Sequence, residues 1–131
     1  MKVLFRHIKT MAPYLLAAWV IIILVFSSLP RLPQININNG LLERYFDKLM
    51  HFSEYFALAF LAFLTFAKSE ITLWSKKVSI LMLCLIVFAA ADETHQLIIV
   101  ARSFSIYDMI ADFLGIILGT FFTLWLNRLL G

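Results

Sequence analysis

Apolar residues along this chain gather into four long runs, separated by polar stretches rich in turn formers. The runs extend from about Met11 to Leu29, Leu49 to Ala67, Val78 to Ala91 and Ile106 to Leu130. A helix that crosses a bilayer needs roughly 20 mainly apolar residues. All four segments qualify, the third with the help of the polar turn that extends it. Helical periodicity inside the runs is weak because most faces are apolar, the pattern of helices surrounded by lipid and by one another. The pattern therefore predicts an all-α fold: a four-helix transmembrane bundle in a single domain spanning residues 1–131.

The first run follows Lys2, Arg6 and Lys9, as a secretory signal would. It is longer than a signal core, and no small-x-small cleavage site stands out. It reads as a retained helix with Pro13 in its first turn, where a missing amide hydrogen does little harm. The longest connection, Pro30 to Phe46, contains PRLPQININNG, a cluster of turn formers. The second, KSEITLWSKK, is short and basic; its Trp74, like Trp125 in the fourth run, is placed at a membrane interface.

Charge sets the orientation. Helices that alternate direction put Lys2, Arg6, Lys9, Lys68, Lys76, Lys77 and Arg128 on one side and Arg31, Arg44, Lys48 and Arg102 on the other. The richer side is expected to be cytoplasmic, with both termini there. Composition agrees with a membrane protein: 15% of residues are charged and mean hydropathy is +0.92, against roughly 25% charged in soluble domains. No basic patch with interleaved aromatics suggests nucleic acid. Cys84, the only cysteine, lies within an apolar run, has no partner for an intramolecular disulfide and reads as a packing thiol.

The acidic residues are not scattered. Six of the eight fall at three helix ends on the side opposite the termini. The second helix begins there with Asp47, Lys48, His51, Glu54 and Tyr55. The third ends there with Asp92, Glu93, His95 and Gln96, and the fourth begins with Arg102, Ser105, Asp108 and Asp112. Asp47, His51, Glu54 and Tyr55 share one helical stripe, as do Asp92 and Gln96. Ser105, Asp108 and Asp112 continue along one stripe into Gly115 and Gly119, a pair that permits close helix approach. The carboxylates are thereby expected to face the bundle interior. Ionisable groups at such depth are costly and point to function. His51 and the carboxylates could in principle ligate a hard or borderline metal, but their spacing matches no metal motif, and no metal ligands are assigned. No phosphate-binding glycine loop, nucleophile elbow or Cys-x-x-Cys pair occurs, and no cofactor is named by the sequence.

Three motifs in order, Asp47-Lys48-x-x-His51-Phe52-x-x-Tyr55, Asp92-Glu93-x-x-Gln96 and Arg102-x-x-Ser105-x-x-Asp108-x-x-x-Asp112-x-x-Gly115-x-x-x-Gly119, resemble the VanZ-like family of small membrane proteins. The Ser27–Pro30 segment SSLP at the end of the first run resembles it too. The similarity covers Ser27 to Gly119. The family pattern often has Asn where this chain has Asp112, so the extra carboxylate raises the local negative charge. The resemblance implies a bacterial cytoplasmic-membrane protein of the cell envelope, in a family whose namesake is associated with low-level resistance to the glycopeptide teicoplanin.

The leading functional expectation is a site at the outer face that binds or modifies a lipid or lipid-linked envelope precursor. In it, Asp92, Glu93, Asp108, Asp112 and His51 are the candidate catalytic residues. Lys48, Arg102, Asp47, Tyr55, Gln96 and Ser105 are the candidate substrate contacts. Crowded carboxylates can take opposite protonation states, which suits proton transfer. A non-enzymatic module that alters antibiotic access to the cell surface stays open as the alternative. An ion or proton pathway ranks last, because no acidic residue continues below Asp112.

Overall fold

The computed structural model of the chain describes residues 2–30, 40–66, 75–100 and 105–130, with 40–44 as backbone only. Four helices account for them: α1 (Lys2–Ser28), α2 (Gly40–Phe66), α3 (Lys76–Gln96) and α4 (Ile106–Leu130). There is no strand among the described residues. Each helix contains a span long and apolar enough to cross a membrane. The expected all-α bundle of four transmembrane helices is the observed architecture.

The helices exceed the apolar runs at several ends. α1 begins at Lys2 rather than near Met11, and Pro13 lies well inside it instead of in its first turn. Such a proline removes one backbone hydrogen bond, which membrane helices tolerate through local adjustment and neighbouring groups. α2 starts at Gly40, well before Leu49. On α3 the residues after Ala91 do not form a turn; they stay helical to Gln96. Hydropathy marks the stretch a bilayer can cover, whereas the helix continues wherever polar side chains find partners. At the other end of α3, the Ser75 hydroxyl accepts from the Val78 amide at 3.3 Å and caps the helix.

α2 and α4 form the closest pair in the bundle. Two glycines explain it. A Cβ on Gly115 would stand 2.5 Å from the Phe52 carbonyl oxygen, and one on Gly119 would stand 2.5 Å from that of Phe56. Only a residue without a side chain fits between the two backbones. The core between the helices contains Ile23, Tyr55, Leu58, Phe63, Ile116 and Leu124. Outward-facing Ile21, Ile80, Leu83, Val87 and Trp125 are exposed, as a lipid-facing surface requires. Cys84 is exposed as well, so the packing role expected for it is not the one it has. Trp74 and the RLPQININN stretch after Pro30 lie outside the described residues.

Candidate functional site

The N-terminal part of α2, the C-terminal turns of α3 and the first turns of α4 meet at one end of the bundle. Their polar residues turn inward. His51, Asp92, Glu93, Gln96, Asp108 and Asp112 are all buried. Asp47 and Lys48 are partly exposed at the rim, each with side chains about 31% accessible.

Two rungs join α2 to α4. Lys48 Nζ forms an ion pair with Asp108 Oδ1 and lies 3.4 Å from Asp47 Oδ2. One helical turn deeper, His51 Nδ1 donates to Asp112 Oδ1 at 3.1 Å. The other ring nitrogen, Nε2, is 3.9 Å from Asp108 Oδ2, beyond hydrogen-bonding distance. The imidazole therefore sits between two carboxylates of α4. Their four-residue separation matches one turn, which is why a single side chain meets both.

α3 contributes the other wall. The Tyr55 hydroxyl donates to Asp92 Oδ2 at 3.3 Å, and Gln96 Nε2 donates to the same oxygen at 3.4 Å. Asp92 Oδ1 has no hydrogen-bond partner. The Ser105 amide donates to Glu93 Oε1 at 2.7 Å, tying the start of α4 to the end of α3, and Glu93 Oε2 is again without a partner. Unmatched buried carboxylate oxygens are expensive and require an explanation.

Next to this wall is a cavity of about 180 Å³ lined by Phe26, Ser27, Asp47, Met50, His51, Glu54, Asp92 and Gln96. It is the place where the end of α1 joins the other helices. Ser27 was not among the candidate residues, although its hydroxyl is buried here without a partner; the SSLP segment was the signal that could have singled it out. Glu54, on the same stripe as Asp47 and His51, also lines the cavity rather than packing elsewhere. Trp19 Nε1 donates to the Glu54 carbonyl at 3.0 Å and anchors α1 to α2 below it. His95 is half-buried and Nδ1 of its ring has no partner. Arg102 lies outside the described residues.

Two sets of side chains place one potential ligand atom each within 4.8 Å of the others: Asp47, His51 and Asp108, and His51, Glu93 and Asp112. Towards the opposite end of α4 the buried polar groups are of another kind. Thr120 and Thr123 donate to the carbonyls of Ile116 and Gly119 on their own helix, each at 2.7 Å. Asn127 is buried with both side-chain polar atoms unmatched.

The family model described as VanZ/LLP1 matches residues 3–127. No curated protein and no solved structure matches the chain.

Proposed function

Since the chain belongs to the VanZ/LLP1 family and is a multi-pass membrane protein, we propose that its buried acid–histidine cluster binds the polar head of a lipid or lipid-linked envelope component at the extracytoplasmic face and does acid–base chemistry on it. The observation that supports this most directly is the polar cavity beside His51 and Asp92, set among membrane helices. At about 180 Å³ it is smaller than the roughly 300–1,000 Å³ of pockets that enclose whole drug-sized ligands. A head group fits such a volume while the acyl chains remain in lipid.

Roles follow from position. Lys48 at the rim meets an incoming phosphate or carboxylate, and Arg102, which lies between α3 and α4 in the sequence, is the second candidate for that contact. His51, oriented by Asp112, moves a proton, in the arrangement of a base held by a third group. Asp92 and Glu93, each with one unmatched oxygen, accept from hydroxyl groups of the ligand. Asp108 holds Lys48 in place. Tyr55, Gln96, Asp47 and Ser105 orient these groups. A consequence for glycopeptide resistance would follow from an altered envelope component. A proton pathway is disfavoured by the Thr120 and Thr123 hydroxyls, which are occupied by their own helix.

Mass spectrometry of protein purified in a mild detergent tests the proposal. One polar lipid per chain is expected to be retained, and to be lost from folded His51→Ala, Asp92→Asn and Asp108→Asn proteins. Retention no greater than in these variants overturns the binding reading. Full retention combined with full cellular activity of all three variants favours the non-enzymatic module instead.

A further inference from the structure

Among the described residues, the cluster has more carboxylates than basic side chains. Asp47, Glu54, Asp92, Glu93, Asp108 and Asp112 supply six carboxylates, and Lys48 pairs with two of them, Asp108 and Asp47. His51 touches Asp112 and approaches Asp108. Glu93 makes no ion pair among the described residues, although a His51 ring nitrogen lies within 4.8 Å of one of its oxygens. It is 1% exposed, one of its oxygens takes the Ser105 amide, and the other takes nothing. That second oxygen is buried without a hydrogen-bond partner.

From this geometry we infer that His51, Glu93 and Asp112 hold a divalent first-row metal cation, Mn²⁺ or Zn²⁺. The three residues are all buried, and each offers one ligand atom within 4.8 Å of the other two. The 3.1 Å hydrogen-bond distance between His51 Nδ1 and Asp112 Oδ1 is also about the edge of a six-coordinate shell with bonds of about 2.2 Å. One imidazole and two carboxylates suit Mn²⁺ and Zn²⁺ better than Mg²⁺, which prefers oxygen alone. The second set, Asp47, His51 and Asp108, is the weaker candidate because the Lys48 ammonium already sits on both of its carboxylates. That pair instead supports the site from outside. Asp108 Oδ2 stands 3.9 Å from the remaining His51 nitrogen, too far for a hydrogen bond but on the side from which a carboxylate can orient a ligating histidine.

The sequence assigned no metal ligands because the three residues come from three helices and form no local motif. The inference rests on the lipid-head-group reading for its purpose and changes two of its roles: with a cation bound, His51 and Glu93 would be its ligands rather than a proton carrier and a hydroxyl acceptor. An acidic cavity repels phosphate, whereas a cation held by His51, the one ligand of the three that lines the cavity, would leave positions open for a phosphate or carboxylate oxygen.

The test uses the full chain without an affinity tag, in detergent, stripped with EDTA and titrated with Mn²⁺ and then Zn²⁺. One Mn²⁺ per chain is expected, with a rise in Tm on binding. Electron spin-echo modulation should show a single coordinated imidazole nitrogen. Glu93→Gln and Asp112→Asn should weaken binding at least tenfold, while Asp47→Asn leaves it within about threefold. Should the carboxamide variants fail to fold, the spin-echo signal of the unmodified chain and the binding of Glu93→Asp decide. No bound ion, a spectrum without a nitrogen coupling, or loss of binding in Asp47→Asn but not Glu93→Gln overturns the assignment. Lipid retained undiminished by the stripped protein also overturns the bridging role but leaves the lipid reading intact. Mn²⁺ bound with no retained lipid does the reverse.

Discussion

At the level of single residues, the site is defined by who neutralises whom. Lys48 is partly exposed and its partner Asp108 is buried, with a side chain 3% accessible. Removing the ammonium leaves a buried carboxylate without its main counter-charge. Lys48→Met is expected to lower stability by about 1–3 kcal/mol, the usual cost of stranding a buried polar group. Lys48→Met with Asp108→Asn should recover part of that loss, because the second change removes the stranded charge. Melting temperatures of the four proteins in one detergent give the coupling directly; additive losses would show that the pair is not linked. The convergence itself was legible from spacing, since Asp47/His51 and Asp108/Asp112 are each one turn apart and so present one face. The specific rungs were not. That Lys48 meets Asp108 rather than Asp92 or Glu93 depends on the rotation of α2 against α4, and no residue pattern within one helix encodes it. Ser27 was missed for a similar reason: a serine in an apolar run ordinarily bonds to its own helix, as Ser28 does to the Leu24 carbonyl at 2.6 Å.

Among the elements, α2 and α4 hold the site, and the glycines that let them approach control its geometry. Both cross-helix rungs, Lys48–Asp108 and His51–Asp112, lie on this pair. Gly119→Ala puts a methyl group 2.5 Å from the Phe56 carbonyl oxygen and 3.0 Å from the Ala59 Cβ. Neither neighbour is a flexible side-chain end, so the helices must separate. A loss of about 1–3 kcal/mol is expected, as for other overpacked interfaces. Gly115→Ala, 2.5 Å from the Phe52 carbonyl oxygen, is nearer the cluster and should disturb His51–Asp112 as well. Lower melting temperatures in both, with the greater loss of ligand binding in Gly115→Ala, are the expected readings; unchanged values would mean that the close approach is dispensable. The Gly-x-x-x-Gly pair made the close-approach face of α4 readable in the sequence, but not that α2 is the helix packed against it. The helix ends were less readable. Lys2, Arg6 and Lys9 on α1 interrupt the apolar run without interrupting the backbone, because basic side chains extend to the interface and leave the helical hydrogen bonds intact.

For the molecule as a whole, the decisive property is direction in the membrane, because it determines what the cluster can reach. Four spans in succession return the chain to the side from which it began, so Lys2 and Arg128 share one end of the bundle and the cluster occupies the other. Seven of the eleven basic residues belong to the terminal side by the same alternation: Lys2, Arg6, Lys9, Lys68, Lys76, Lys77 and Arg128. Lys and Arg in short loops and flanks are retained in the cytoplasm during insertion, and acidic residues count for little. The cluster's carboxylates therefore do not bias its side; the four remaining basic residues do, and they are outnumbered. The termini are predicted to be cytoplasmic and the cavity extracytoplasmic. Cysteine labelling distinguishes the two orientations once Cys84, which is exposed and would react if reached, is replaced by Ala. Ile98→Cys, exposed just beyond α3 at the cluster end, should react with a membrane-impermeant maleimide in intact cells. Lys77→Cys, exposed at the opposite end of the same helix, should react only after the membrane is permeabilised. The reverse pattern would place the acidic cavity in the cytoplasm, where an envelope precursor could be met only before its export, and would exclude the lipid-facing role at the cell surface.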